Sequence, residues 1–189
     1  MDGLKEELKI ILSGVGGQGL ILSGTLLGEA AVVYDNKNAT LTSSYGVETR
    51  GTFAKSDLII SDDNINYTEI VKPDVVLAMA QVAYDKYVKV LDENTTLIYD
   101  SSLVFETLES TARQCGIPIT DMAKEMGNVT SANIIACGII VKMTNIVALN
   151  SVIDAIKDIF SHKPKVLDLN LNAFNKGIEV VQMNNFYYE

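Results

Sequence analysis

The chain has 189 residues, 48% hydrophobic and 21% charged, with 15 Lys+Arg against 24 Asp+Glu and a formal net charge of −9. That length and balance suit one soluble domain, 1–189, with its own core, and the negative field repels phosphate backbones and anionic lipid, which argues against nucleic-acid and membrane partners. No stretch reaches the roughly 18 to 20 uninterrupted apolar residues of a membrane span, and the acidic start from Met1 to Glu7 lacks a signal peptide's basic and apolar regions, so a cytoplasmic protein is expected.

The two cysteines, Cys115 and Cys137, belong to no C-x-x-C cluster. A self-contained iron–sulfur or structural zinc site is therefore not expected, and no metal-ligating residue is proposed. Cys137 lies in the apolar run 133–141 and reads as a buried small thiol. The one histidine, His162, stands beside Lys163 and Pro164 and reads as a solvated turn residue. Its isolation weakens any hydrolase or metalloenzyme reading, and no catalytic residue is assigned.

In chain order, the apolar run 8–13 predicts a strand, and the glycines that stop it lead into a helix over 18–33. Gly24, Gly28 and Ala31 fall at i, i+4 and i+7, which leaves one helix face nearly bare and able to approach a sheet closely. Residues 39–44 and 52–61 read as strands joined by the polar segment 45–51 without a helix, the pattern of antiparallel neighbours. A strand at 75–79, a helix over 82–91 and a strand from 95 to 99 make a right-handed parallel crossover. Residues 104–115 read as a helix ended by Gly116, followed by a short strand at 117–120. Three helices, 131–144, 151–160 and 167–180, close the chain. The sum is an α/β fold: a single three-layer α/β/α domain with a mixed sheet and C-terminal helices.

Gly14-Val15-Gly16-Gly17-Gln18-Gly19 satisfies G-x-G-x-x-G between a strand and a helix. Glycines there permit positive φ and let backbone N–H groups approach an anion at the helix's positive end. A dinucleotide site also needs an acidic residue at the end of the second strand, about 20 positions on. Thr42, Ser43 and Ser44 stand there, and Asp35 precedes the strand. An independent NAD domain is disfavoured. A purely structural tight turn remains open.

The same loop, with Ala30 and Ala31 in the helix after it, resembles the gamma subunits of 2-oxoacid:ferredoxin oxidoreductases. Four further stretches agree in order. They are Ser44-Tyr45-Gly46-Val47-Glu48-Thr49-Arg50-Gly51; Ser61-Asp62 with Ile65; Pro73-Asp74 through Gln81, Ala83-Tyr84 and Tyr87; and Gly127-Asn128 with Asn133, Gly138, Asn172-Ala173-Phe174 and Gly177. Together they span about residues 8 to 180. One departure is Thr52 after Arg50-Gly51, where many relatives carry a second glycine.

The resemblance implies a heteromeric enzyme that oxidatively decarboxylates a 2-oxoacid on thiamine diphosphate with Mg²⁺. Electrons pass through iron–sulfur clusters on other subunits to ferredoxin, and the acyl group leaves on coenzyme A. It implies alpha and beta partners, with or without a delta subunit, and a chain inactive alone that binds no cofactor by itself. The absent G-D-G motif and absent cluster cysteines agree with an accessory part. The residues it points to at a shared CoA/thiamine cleft are Gly14, Gly16, Gly17, Gln18, Gly19, Tyr45, Glu48, Arg50 and Asn128. Gln18 would offer its amide to a ligand or facing subunit, and Arg50 would meet a phosphate or carboxylate or pair with Glu48. Asn128 also fits a plain turn residue, and Tyr84 and Tyr87 fit core or interface aromatics. The loop and the Tyr45-Gly46 segment look most like 2-oxoglutarate or branched-chain enzymes, with 2-oxoglutarate favoured. The alternative is a free-standing nucleotide-binding or regulatory module using the same loop; an assembly subunit without a ligand is a third reading.

Overall fold

Leu8, Ile10 and Leu12 point to one face of the first strand and Ile11 to the other, and all four are buried. A strand apolar on both faces belongs in the middle of a covered sheet. In the computed structural model, which describes residues 7–45 and 51–186, this strand, β1 (Glu7–Val15), is central to six. The others are β2 (Asn38–Tyr45), β3 (Phe53–Ser61), β4 (Val75–Ala78), β5 (Thr96–Asp100) and β6 (Arg113–Ile117), in the order β2-β3-β1-β4-β5-β6. β1, β4, β5 and β6 run parallel, and β3 is antiparallel to both β1 and β2. The mixed sheet and the antiparallel pairing across 45–51 match the sequence reading.

The two outer layers are unequal. One face of the sheet shares its core with α1 (Leu20–Glu29), α3 (Ile119–Glu125), α4 (Ala132–Thr144), α5 (Leu149–Phe160) and α6 (Pro164–Asn184), of which α6 packs on α4 and α5. The other is covered by α2 (Gln81–Tyr87), which supplies Ala83, Tyr84 and Tyr87, and by irregular chain. The tyrosines are therefore core residues, with Tyr84 edge-on to Tyr99 at a centroid distance of 5.1 Å. No helix of the described residues is long and apolar enough to cross a membrane.

The bare face of α1 does approach the sheet. A Cβ on Gly24 would stand 2.5 Å from Leu41 Cδ1, so a side chain there would require Leu41 to shift on β2. The helix expected over 18–33 is α-helical to Glu29 and continues from Ala30 to Tyr34 as a π turn.

Between β5 and β6 the structure departs from the sequence reading. Residues 104–110 carry no helix, β6 occupies 113–117, and Ile119 begins α3 where a strand was expected. Val104, Leu108 and Ala112 have helical spacing, but Val104 and Ala112 are buried from an extended path. Side chains supply the hydrogen bonds that a helix would have made. Gln81 Oε1 accepts from Phe105 N (2.8 Å) and Glu106 N (3.1 Å), Tyr84 Oη accepts from Leu108 N (2.9 Å), and Ser110 and Thr111 hydroxyls donate to the Val88 and Leu91 carbonyls. Polar side chains that bond backbone in this way compete with helix formation.

The β1–α1 loop as a candidate functional site

The loop between β1 and α1 is held on three sides. Gly16 N donates to Thr52 O (3.0 Å) on the way into β3, Gln18 N donates to Val15 O (3.3 Å), and Ser23 N closes the first turn of α1 on Gly19 O (3.0 Å). Gly17 (φ +100°) and Gly19 (φ +74°) both lie in the left-handed region, where L side chains are strained.

The two positions differ in what surrounds them. A Cβ on Gly19 would stand 2.5 Å from Asn133 Nδ2, which itself donates to Gly19 O (3.3 Å), so packing against α4 requires glycine there. At Gly17 nothing lies within 4 Å of where a Cβ would be. Backbone conformation, rather than packing, is what calls for glycine at this position.

Gln18 does something other than reach outward. Its Oε1 accepts from Val15 N (2.8 Å) and its Nε2 donates to Met79 O (2.7 Å) at the end of β4. Both halves of the amide are engaged inside the chain, which corrects the expectation that they face a ligand. The location has a consequence for nucleotides. The chain leaves β1 for one face of the sheet and β4 for the other, so the crevice between those strand ends is the switch point where open α/β sheets bind ligands. Gln18 bridges that crevice. Moreover the neighbour of β1 on its far side is the antiparallel β3, so no second parallel strand can present a ribose-binding carboxylate there.

The open space lies instead on the β3 side, a cleft of about 280 Å³ between residues 15–21 and residues Ala54, Lys55 and Ser56. The N–H groups of Leu20, Ile21 and Leu22 precede the first intrahelical bond and have no acceptor within the helix. No acidic side chain occupies that first turn. Lys55 is the one charged residue lining the cleft among those described, and its ammonium pairs with Asp57 at 2.6 Å. The other Asp57 oxygen is buried without a hydrogen-bond partner, as is Asn133 Oδ1 beside the loop.

The expected site residues thus separate. Gly16, Gly17, Gln18 and Gly19 line the cleft, and Gly14 lies in β1 directly beneath the Gln18 amide, where a Cβ would stand 2.2 Å from Oε1. Tyr45 ends β2 opposite Ala54. Glu48 and Arg50 lie outside the described residues. Asn128 is not brought to the loop: its Oδ1 accepts from Thr130 N (3.2 Å) and Oγ1 (2.6 Å), and its Nδ2 donates to Ser131 Oγ (2.8 Å), capping the turn Val129–Ser131. Asn133, five residues later, is the asparagine at the loop. Lys55 and Ser56 were not singled out from sequence, because only the β1–β3 register, with Gly14 opposite Ala54, carries them there. Asp35 serves α5, accepting from Ala148 N (2.6 Å) and from Ser151 Oγ.

Neither thiol is poised for chemistry. Burial pushes Cys137 up to about 12, against a weak contact with the Ser23 carbonyl at 4.0 Å, and pushes Cys115 up as well, opposed by Arg113. Burial, then the Asp57 charge, also raises Tyr87 to about 12. Groups held protonated in the fold stabilise it fully below their unfolded values and lose that contribution as pH rises through the folded ones. The native chain should resist iodoacetamide at pH 8, react at both cysteines when unfolded, and lose stability between the ordinary thiol value of 9.0 and about 12. Fast labelling of the native chain at pH 8 would contradict this burial.

Known proteins resemble this chain over almost its whole length. The sequence pattern of the pyruvate ferredoxin/flavodoxin oxidoreductase family matches residues 9–180. The chain is 41% identical over 182 residues to the 2-oxoglutarate synthase subunit KorC of Methanocaldococcus jannaschii, covering 95% of this chain and 96% of that one. The gamma subunit of a keto/oxoacid ferredoxin oxidoreductase from Geobacter sulfurreducens superposes with a TM-score of 0.77 at 38% identity, over 91% of this chain and 96% of that one. A 2-oxoglutarate:ferredoxin oxidoreductase from Magnetococcus marinus, solved with 2-oxoglutarate, coenzyme A and succinyl-CoA bound, superposes with a TM-score of 0.85 at 27% identity, over 95% of this chain but 32% of the longer one. The chain belongs to the pyruvate ferredoxin/flavodoxin oxidoreductase family.

Proposed function

We propose that this chain is the gamma-type subunit of a cytoplasmic 2-oxoglutarate:ferredoxin oxidoreductase, acting as one domain with alpha and beta partners. The complex converts a 2-oxoacid and coenzyme A to acyl-CoA and CO₂ and passes two electrons to ferredoxin. Thiamine diphosphate, its Mg²⁺ and the iron–sulfur clusters sit on other subunits and supply the decarboxylation and electron transfer. This chain's share is a backbone surface at the cleft: the β1–α1 loop receives an anionic part of coenzyme A, whose phosphates suit N–H groups at a helix start.

Gly17 is the observation that carries this reading. Its positive φ accounts for the glycine within the chain, and its open, solvent-facing Cβ position beside the cleft leaves the bare backbone accessible to a ligand or a facing subunit. Gly17→Ala adds one methyl there with about 1–2 kcal/mol of backbone strain. In the assembled complex the variant is expected to raise the KM for coenzyme A at least about tenfold, roughly the loss of one charge-assisted hydrogen bond, while the KM for the 2-oxoacid stays near wild type. An unchanged coenzyme A KM would overturn the loop's role. Purification of the chain as a stable monomer that binds nucleotide alone would favour the free-standing module instead.

A further inference from the structure

Residues 105–108 present an oddity. Phe105 is 81% exposed, yet the backbone around it is held by several side-chain hydrogen bonds. Gln81 alone makes three bonds to it: Oε1 accepts from Phe105 N and Glu106 N, and Nε2 donates to Glu106 O at 2.8 Å. Nε2 also donates to Asp85 Oδ1 (2.8 Å), which holds the amide in that orientation. Two residues on, Leu108 N donates to Tyr84 Oη, and Leu108 O accepts from Gln114 Nε2 (2.9 Å). The Tyr84 hydroxyl in turn donates to Gln114 Oε1 (2.5 Å). Two side chains of α2 and one of β6 thus clamp an extended segment whose side chains make no core.

Ordering an exposed segment costs conformational entropy that exposed side chains do not return within the chain. Rigid, outward aromatics are the anchors that protein interfaces use, because their entropy cost is met before association. Leu108 (40% exposed) and Val82 (46%) extend the apolar surface, while Glu106 and Glu109 are exposed acids of the same segment.

We infer that the clamped segment 105–109 is a docking element on which Phe105 enters an apolar pocket of a neighbouring subunit, with basic side chains of that subunit around Glu106 and Glu109. This rests on the proposed assembly into a heteromeric oxidoreductase. The charge pattern selects the partner's chemistry: a chain of net charge −9 that places two carboxylates beside its anchor repels its own copies and attracts a basic rim. Gln81 and Tyr84 act as positioning residues; they never touch the partner but fix the segment that does.

The test measures association of the full chain with the other subunits by interferometry and by pull-down of the co-expressed complex, at several ionic strengths. Phe105→Ala, at an exposed position, should keep its melting temperature and weaken association about tenfold or more. Gln81→Ala should weaken association in the same direction, and in combination with Phe105→Ala add little, because both act through one anchor. The pair Glu106→Gln and Glu109→Gln should flatten the salt dependence. Association of Phe105→Ala within about twofold of wild type overturns the anchor, and an unaltered salt dependence overturns the basic rim. A wild-type chain that binds no other subunit overturns both this inference and the assembly it rests on, whereas a complex that forms normally with Phe105→Ala leaves the assembly standing.

Discussion

Alanine at Gly177 is expected to lower the melting temperature of the chain by about 6–12 °C. α4 and α6 cross with their backbones in contact. A Cβ on Gly177 would stand 2.1 Å from Ile135 O and 2.9 Å from Ile139 N, and one on Gly138 would stand 2.2 Å from Phe174 O. The atoms met are peptide groups of a helix, which cannot rotate away as a side-chain tip can. One helix must move off the other and open the core around Phe174, which is fully buried. Overpacking of this kind costs about 3 kcal/mol, and at about 2–4 °C per kcal/mol for a chain of this size the shift follows. Gly138→Ala should behave alike, and the double variant should lose less than the sum, because one displacement relieves both contacts. Gly28→Ala is the matched control. Its Cβ would meet Leu58 and Ala39 at 3.7 and 3.9 Å, ordinary contact, and alanine favours the helix, so that variant should melt at or above wild type. Thermal denaturation followed by circular dichroism reads all four variants; a Gly177→Ala melt within about 1 °C of wild type would contradict the close crossing.

Gln18→Ala is expected to affect both stability and turnover. The substitution removes the acceptor of Val15 N and the donor of Met79 O and leaves a void at the crevice between β1 and β4. Each unpaired backbone group costs about 1–3 kcal/mol if water does not reach it. With its tie to β4 lost, the loop that lines the cleft should also be less well ordered, so coenzyme A turnover of the assembled complex should fall by about tenfold or more. A double-mutant cycle with Gly14→Ala tests the cause. In the wild-type background the new methyl would stand 2.2 Å from Gln18 Oε1 and should destabilise; in the Gln18→Ala background it occupies part of the vacated space and should cost little or stabilise. Additive effects of the two substitutions would show that the amide and Gly14 do not share this contact.

Several features are legible in the amino-acid sequence alone. The apolar runs with stops gave the strands 39–44, 52–61 and 75–79 nearly to the residue, and the helix-free connection over 45–51 gave the antiparallel pair. The bare face of α1 and the buried Cys137 followed from spacing and surroundings. Each is a local matter: the period of the pattern, a glycine stop or a run of branched residues acts on its own segment. The elements lost are the 104–115 helix and the 117–120 strand that was to follow it. The apolar spacing of the first is helical, and what overrides it is Gln81, Tyr84 and Gln114 closing on the segment from α2 and β6, with the α2 contacts 24 to 25 residues away in sequence.

The glycine loop divides along the same line. Its strand–loop–helix setting, the left-handed glycines and the absence of a dinucleotide acid are properties of residues 8–44, and the sequence contains them all. Which face of the loop is open was decided by partners far along the chain. Met79 draws the Gln18 amide across the crevice, Asn133 closes the back of Gly19, and the β1–β3 register sets Lys55 and Ser56 against the side that remains. A side chain such as glutamine can face a ligand or its own backbone with equal chemical fitness. Only the neighbours that the fold brings within hydrogen-bonding distance choose between the two.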